Sequence, residues 1–498
     1  MHRDLNVTIS IAVLLLSMLF IPVSAGADLD RPPVSRGGER EANGAGGPIG
    51  CGKEVSDRFS GSSTAKFPGY NILVLVLDTL RADHLGCYGY FRPTSPVIDK
   101  LSSRAVIFRN AFASIPITLP SHTSILTGLY PQTTGIIYNH DRVDARVTTL
   151  AEVLQKAGYR TGAVVSTAVL KASSKLSQGF ECYSHNFGEA ARREQKGWKV
   201  KGIAKDANRL AFEWLDRIKK DEKFFLFINY FDVHSPYIKQ GGFQDLFNHD
   251  SQKFLQYLER EWTTMPKLAR KRKAITNYDR SIAYTDHYIG RFLKGLQDRG
   301  LLDKTIVILT SDHGQGLYQH HDYWSHGPYL YDEQINIPLL ILFPGATTRQ
   351  EIDRLVETVD LFPTVLDLVG VPLPNRVDGA SLVPLMEQGD REKPDIAYAM
   401  RNQHDPKGRI LPRQLCVRTS TEKLISTQGE ENQFYDFEED PYEKTDIYDT
   451  AEKQRGKLIS RLILERERWF KLEKTENIAH EAPDQETLKV LKSLGYLQ

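Results

Sequence analysis

The hydrophobic pattern of the chain acquires a clear period at "YNILVLVLD" (70–78), a continuous apolar run that ends in an acid. Such a run suits a central strand of a parallel sheet covered on both faces. Further on, "TTLAEVLQKAG" carries a capping box, Thr149 with Glu152 three residues later, and places Leu150, Val153 and Leu154 on one helical face. "TGAVVS" then predicts a strand. Likewise "RLAFEWLDRIKK" leads into "FFLFINYFD", and "YIGRFLKGLQDRG" leads into "TIVILTSD". Helical and strand periods alternate, which predicts an α/β fold: a doubly wound, mostly parallel sheet with helices on both faces. Three of the predicted strands end in acids, Asp78, Asp232 and Asp312. Ligands of open α/β sheets gather at the carboxyl ends of strands, so the three acids point to one shared site.

After Val371 the texture changes. Pro372, Pro374 and Gly379 are followed by short alternating runs, "QLCVRTS", "KLIST" and "NQFYDF", and by a charged helical pattern over about 451–473. These predict a smaller C-terminal subdomain, 376–498, with an antiparallel sheet and a helix, after a catalytic α/β domain at 69–375.

At the amino terminus Arg3 precedes an apolar run from Val7 to Val23, followed by Ala25-Gly26-Ala27. Charged start, apolar centre and small-residue cleavage site predict a signal peptide at 1–27. The run holds Thr8, Ser10, Ser17 and Pro22 and falls short of the ~20 apolar residues of a spanning helix. The expectation is an exported protein, periplasmic or secreted, with no stable membrane span after processing, tethered at its N terminus if the signal stays uncleaved. Residues 28–68, rich in Gly, Pro, Ser and charge and holding Cys51, read as a flexible linker.

Composition narrows the partners. With 64 Lys+Arg against 63 Asp+Glu the net charge is +1, a balance that points away from nucleic acid. The densest basic cluster, Lys267 with Arg270 to Lys273, reads as a solvated helix face. Four cysteines (Cys51, Cys87, Cys182, Cys416), none in CxxC spacing, exclude a disulfide scaffold and a thiolate metal site, although export permits one or two disulfides.

Candidate chemistry concentrates in "SDHGQGLYQHHDYWSHG" (311–327), which holds His313, His320, His321 and His326, four of the protein's 14 histidines. Asp312 and His313 offer one hard oxygen and one borderline nitrogen, a pairing that suits zinc or manganese better than calcium. Asp78, from another strand end, would add an oxygen.

The stretches "NILVLVLDTLRADHLGCYG", "TLPSHTSILTGLYP", "TSDHGQG", "VDLFPTVLDLVG" and "FYDFEEDPYEKTDI" stand in the order and spacing of the sulfatase family, within the alkaline phosphatase superfamily. The chain resembles that family from about residue 69 to its C terminus. The resemblance implies an alkaline-phosphatase-like α/β domain with a small antiparallel subdomain. It also implies one divalent metal held by Asp78, Asp312 and His313, with the side chain of Thr118 facing it. His234, in "YFDVHSPY", and His326, in "WSHGPYLYDE", match positions of substrate-binding or proton-donating groups, and Asp232 would join them in a second metal site if one exists.

Departures from the family pattern carry equal weight. Sulfatases read Cys-x-Pro-Ser-Arg, or Ser for Cys, and oxidise the first residue to formylglycine; this chain reads Thr118-Leu119-Pro120-Ser121-His122. Threonine cannot yield that aldehyde. The usual Asp-Asp pair is Asp78-Thr79, and "AVVSTAV" replaces a Gly-Lys-x-His patch. Thr118 is therefore expected to be a metal-activated nucleophile in phosphoester hydrolysis, with phosphomonoesters, phosphodiesters or phosphonate esters as substrates. His122 either steadies the loop of Thr118 or contacts the ester. Two alternatives stand beside this reading: a sulfatase that uses Thr118 without formylglycine, and a non-catalytic exported binding domain. The expected substrate is an ester of a small molecule, a glycan or a lipid head group.

Overall fold

The computed structural model describes residues 67–185, 203–237, 241–249, 251–261, 268–375, 377–401, 411–451, 456–462 and 464. The expected signal peptide, nearly all of the linker and most of the charged helix at 451–473 lie outside these residues. In chain order the strands are β1 (Asn71–Leu77), β2 (Val106–Phe112), β3 (Arg160–Val165), β4 (Cys182–His185), β5 (Phe224–Tyr230), β6 (Thr305–Thr310), the two-residue β7 (Gly316–Leu317) and β8 (Trp324–Ser325), β9 (Asn336–Leu342) and β10 (Gln350–Glu357). Eight of them form one sheet in the order β10-β2-β9-β6-β1-β5-β3-β4. All its pairings are parallel except those of β9, which runs antiparallel to both β2 and β6.

The apolar run of β1 is continuous because it serves two cores. Ile72, Val74 and Val76 face one cluster with the helices Thr118–Thr127, Leu150–Lys156 and Leu361–Val369. Leu73, Leu75 and Leu77 face another, with Ala204–Leu215 and the long helix Leu268–Asp298. Alternate side chains of a strand point to opposite faces, so a strand covered on both sides has no polar face to show.

The capping box forms as expected. The Glu152 backbone N–H donates to Thr149 Oγ1 at 3.2 Å, and the Thr149 N–H donates to Glu152 Oε2 at 2.8 Å. Other elements escaped the sequence pattern. β2 is broken by Arg109-Asn110 and pairs with irregular register on both sides. β10 is an edge strand with charged residues along it, and β9 follows the β7–β8 hairpin and the one-turn helix Asp332–Ile335 rather than a long crossover helix.

Beyond the main sheet, β11 (Ala397–Arg401), β12 (Gln414–Arg418), β13 (Glu422–Thr427) and β14 (Gln433–Asp436) make the small antiparallel sheet. Ahead of it, the helix Val383–Gln388 still packs in the main core through Leu382, Val383, Leu385 and Met386. The small sheet reaches the main domain through Ile115 and Ile117, which are buried with Leu415, Val417, Leu424 and Phe434. That contact braces the segment leading into Thr118 and its helix. Among the described residues Cys87, Cys182 and Cys416 form no disulfide.

Candidate active site

β6, β1 and β5 are immediate neighbours, and their registers align Thr310 and Asn229 with Val76. Asp78, Asp312 and Asp232 thus leave the sheet side by side at its carboxyl edge. The turn after β1 is tightly constrained. Thr79 has φ of 62°, a left-handed conformation rare for a β-branched residue and costing on the order of 1–3 kcal/mol. Its N–H donates to Asp312 Oδ1 at 3.1 Å, and its carbonyl accepts from the Tyr278 hydroxyl at 2.7 Å. Ser311 Oγ ties the two strand exits together, donating to Leu77 O at 2.6 Å and accepting from Leu80 N–H at 2.9 Å.

Asp312 Oδ1 also accepts the His313 N–H at 2.9 Å, while Oδ2 accepts no hydrogen bond from the described residues and lies 3.4 Å from His313 Nε2. Burial pushes the Asp312 carboxyl up to about 6, against the pull of His122. His313 donates Nδ1–H to Gly314 O at 2.9 Å, which leaves the Nε2 lone pair turned to the acids. Burial lowers its pKa to about 4, so the ring is neutral. Asp78, Asp312 and His313 are all fully buried, and their ligand atoms lie within 4.8 Å of one another. Two carboxylates this close in a dry site repel unless a cation or proton lies between them, and a neutral imidazole held by its Nδ1–H is the usual state of a metal-ligating histidine. The donor set fits a divalent metal.

Thr118 is the first residue of the helix Thr118–Thr127, every residue of which is buried. Its Oγ1 faces His313 Nε2 at 3.5 Å. Ser121 Oγ pins the first turn by donating to Asp312 O at 2.6 Å, and Leu119 N–H donates to Asn139 Oδ1 at 2.9 Å. His122, one turn on, points Nδ1 at Thr118 O at 2.8 Å and Nε2 at Asn229 Nδ2 at 3.3 Å. Both ring nitrogens face protein groups, so of the two roles open to His122, bracing the helix is the one with observed partners.

His234 and His326 meet with their Nε2 atoms 3.1 Å apart. The Nδ1 of His326 faces Pro116 O at 3.0 Å, that of His234 faces Ser235 O, and the His326 ring lies 4.2 Å from that of His313. Burial, then His313, drives the His326 pKa well down. Asp232 is buried nearby, but among the described residues the only group of three or more acidic, His or Cys ligands close enough for one ion is Asp78, Asp312 and His313. His320 and His321 turn away from the site: His320 joins Glu333 and Glu443 O, and His321 contacts the Tyr331 hydroxyl. Sequence reading passed over Ser311, Tyr278 and Asn229. Only Asn229 left a signal, as the one amide inside the apolar "FFLFINYF".

Metal-fitting acids at adjacent strand exits, with a hydroxyl at a helix start facing them, stand on an α/β fold of the alkaline-phosphatase-like kind. The sequence profile of the sulfatase family matches residues 70–371, and that of the C-terminal region of N-sulphoglucosamine sulphohydrolase matches residues 320–468. The chain belongs to the sulfatase family and is an ester hydrolase of a metal-dependent class. Among its relatives are an ulvan-active sulfatase of Formosa agariphila, 26% identical over 406 residues and 76% of each chain, and an arylsulfatase of Clostridium perfringens, 25% identical over 79% of this chain and 93% of the relative. The same fold is seen in a protein solved with its substrate D-glucosamine-2-N,6-O-disulfate, with TM-score 0.66, 20% identity and coverage of 84% of this chain and 99% of that one. It is also seen in the phosphonate monoester hydrolase of Agrobacterium radiobacter, with TM-score 0.63, 19% identity and coverage of 84% and 98%. No helix among the described residues is long and apolar enough to cross a membrane.

Proposed function

We propose that the protein hydrolyses phosphoesters, whether phosphomonoesters, phosphodiesters or phosphonate esters, through a covalent intermediate on Thr118. The observation that carries this reading is the Thr118 hydroxyl at the buried metal-fitting cluster, in a position where the family's formylglycine cannot form. Asp78, Asp312 and His313 would hold one divalent cation, zinc or manganese before calcium. When bound, such an ion supplies Lewis-acid stabilisation of the ester oxygens and lowers the pKa of a nearby hydroxyl.

With its hydroxyl proton first lost to solvent, Thr118 Oγ1 bonds to phosphorus as the ester P–O bond breaks, and the leaving oxygen takes a proton from the His234–His326 pair. A water molecule then adds to phosphorus, the bond to Thr118 breaks, and the pair recovers the proton. With no aldehyde to expel the group by elimination, this second displacement is required. The pair suits the role because its two Nε2 atoms face each other at 3.1 Å, a separation at which one proton can be shared between them. The same juxtaposition favours a second reading, in which His234, His326 and Asp232 hold a second cation.

Relatives named as sulfatases keep sulfuric esters of glycans or small molecules as the alternative substrate, with Thr118 as the acceptor. Purified protein, assayed on aryl phosphate, bis-aryl phosphate, phosphonate and sulfate esters, separates the two. Turnover of the sulfate ester alone would overturn the phosphoryl reading, and no turnover of any ester by metal-loaded protein would leave the binding-domain alternative.

A further inference from the structure

The buried amide of Asn229 reaches the helix of Thr118 from inside the central sheet. It sits on β5 in register with Val76 of β1 and Val165 of β3, fully buried. Its orientation follows from its partners. The Ser166 backbone N–H donates to Asn229 Oδ1 at 3.2 Å, which leaves the amide nitrogen to face His122 Nε2 at 3.3 Å. An amide N–H can only donate, so His122 Nε2 must be the acceptor and its proton must sit on Nδ1. Nδ1 is aimed at Thr118 O, 2.8 Å away, with Asp312 Oδ2 at 3.5 Å. Ser166 N–H, the Asn229 amide, the His122 ring and the Thr118 carbonyl thus form one relay in which every donor has a single direction.

We propose that Asn229 is a positioning residue: by donating to Nε2 it fixes His122 as the neutral Nδ1–H tautomer, and through His122 it sets the first helical turn that aims Thr118 Oγ1 at the metal-fitting cluster. The role is specific to a chain with histidine at position 122. That ring has two non-equivalent nitrogens, and without a fixed donor at Nε2 it can turn its lone pair to the Thr118 carbonyl and repel it. This inference rests on Thr118 as nucleophile for its effect on rate, while the relay itself is independent of the substrate.

The test uses the full chain loaded with zinc or manganese and combines a tautomer readout with kinetics. The ¹⁵N imidazole spectrum, with the His122 signals identified by their absence from a His122→Gln variant, is expected to show the Nδ1–H tautomer. Asn229→Asp keeps the shape and the bond from Ser166 N–H but replaces the donor by an acceptor, and is expected to abolish that tautomer. Asn229→Ala is expected to lower kcat on the order of tenfold to a hundredfold with little change in KM. Made in a His122→Ala background it is expected to cost nothing further, because both changes break the same relay. An Nε2–H tautomer in the unaltered protein, or independent, multiplying losses in the double variant with folding and metal content intact, would overturn the proposal. Full activity in Thr118→Ala, with the tautomer as expected, would instead sink the nucleophile and leave the relay standing.

Discussion

Thr118 Oγ1 lies 3.5 Å from His313 Nε2 although 195 residues separate the two in sequence. The first turn of one helix and the exit of β6 make that meeting, and Ser121 Oγ on Asp312 O locks them together. A hydroxyl so placed has no evident packing duty that alanine would fail to meet. Thr118→Ala is expected to fold normally and to lose turnover by on the order of a thousandfold or more. Thr118→Ser is expected to retain part of the rate. Mass spectrometry of protein quenched during turnover should find the transferred group on the peptide containing Thr118.

Metal removal gives a separate check. Asp78, Asp312 and His313 are buried and close, and an ion that they bind only in the folded state must raise its stability. At a hundredfold excess over Kd the gain is about 2.7 kcal/mol. Chelation is expected to lower Tm and abolish turnover, with zinc or manganese restoring both better than calcium. His313→Ala should remove the metal-dependent part of the Tm. If Tm and metal content are the same in that variant, the cluster is not a metal site.

Much of this was legible in the sequence because it depends on local order. The continuous run of β1 reports a strand buried on both faces, and an acid at the end of such a run reports a strand exit, so Asp78, Asp232 and Asp312 were visible before any geometry. What lay hidden depends on long-range pairing. Nothing local says that β9 returns antiparallel between β2 and β6, or that Ile117 packs on a sheet formed some 300 residues later. His320 and His321 sit in the same short loop as His313, yet the hairpin of β7 and β8 turns their side chains away from the cluster.

The His320 ring predicts a pH dependence of stability. Its Nδ1 faces Glu333 Oε2 at 2.8 Å and its Nε2 faces Glu443 O at 3.0 Å, so both nitrogens meet acceptors, an arrangement that favours the imidazolium. Burial opposes the charge, but the carboxylate and the carbonyl outweigh it and raise the pKa above its ordinary value. A folded pKa above the unfolded one means that the folded state binds the proton more tightly. The contribution is complete below the ordinary histidine range and is lost as pH rises through the raised value. Thermal unfolding followed from acid to alkaline pH is expected to show Tm falling across that window. His320→Gln should flatten the fall, and an unchanged slope in that variant would assign the pH dependence elsewhere.

The last expectation concerns the small sheet as a support for the nucleophile. Ile117 is buried against Leu415, Val417, Leu424 and Phe434, and the next residue in the chain is Thr118. Ile117→Ala removes that contact and leaves a cavity, at a cost of about 2–5 kcal/mol. Position matters here as well as stability. The Ile117 carbonyl accepts the Ser121 N–H at 3.0 Å, so a shift of Ile117 moves the turn that holds Ser121 on Asp312. Ile117→Ala is therefore expected to lower kcat at temperatures where the variant remains fully folded, with KM little changed. Ile425→Val, a smaller change on the other face of the small sheet, within the cluster of Phe112 and Leu355, should lower Tm without that loss in kcat. Equal kcat in the two variants would reduce the small sheet to a stabilising cover, with no part in aiming Thr118.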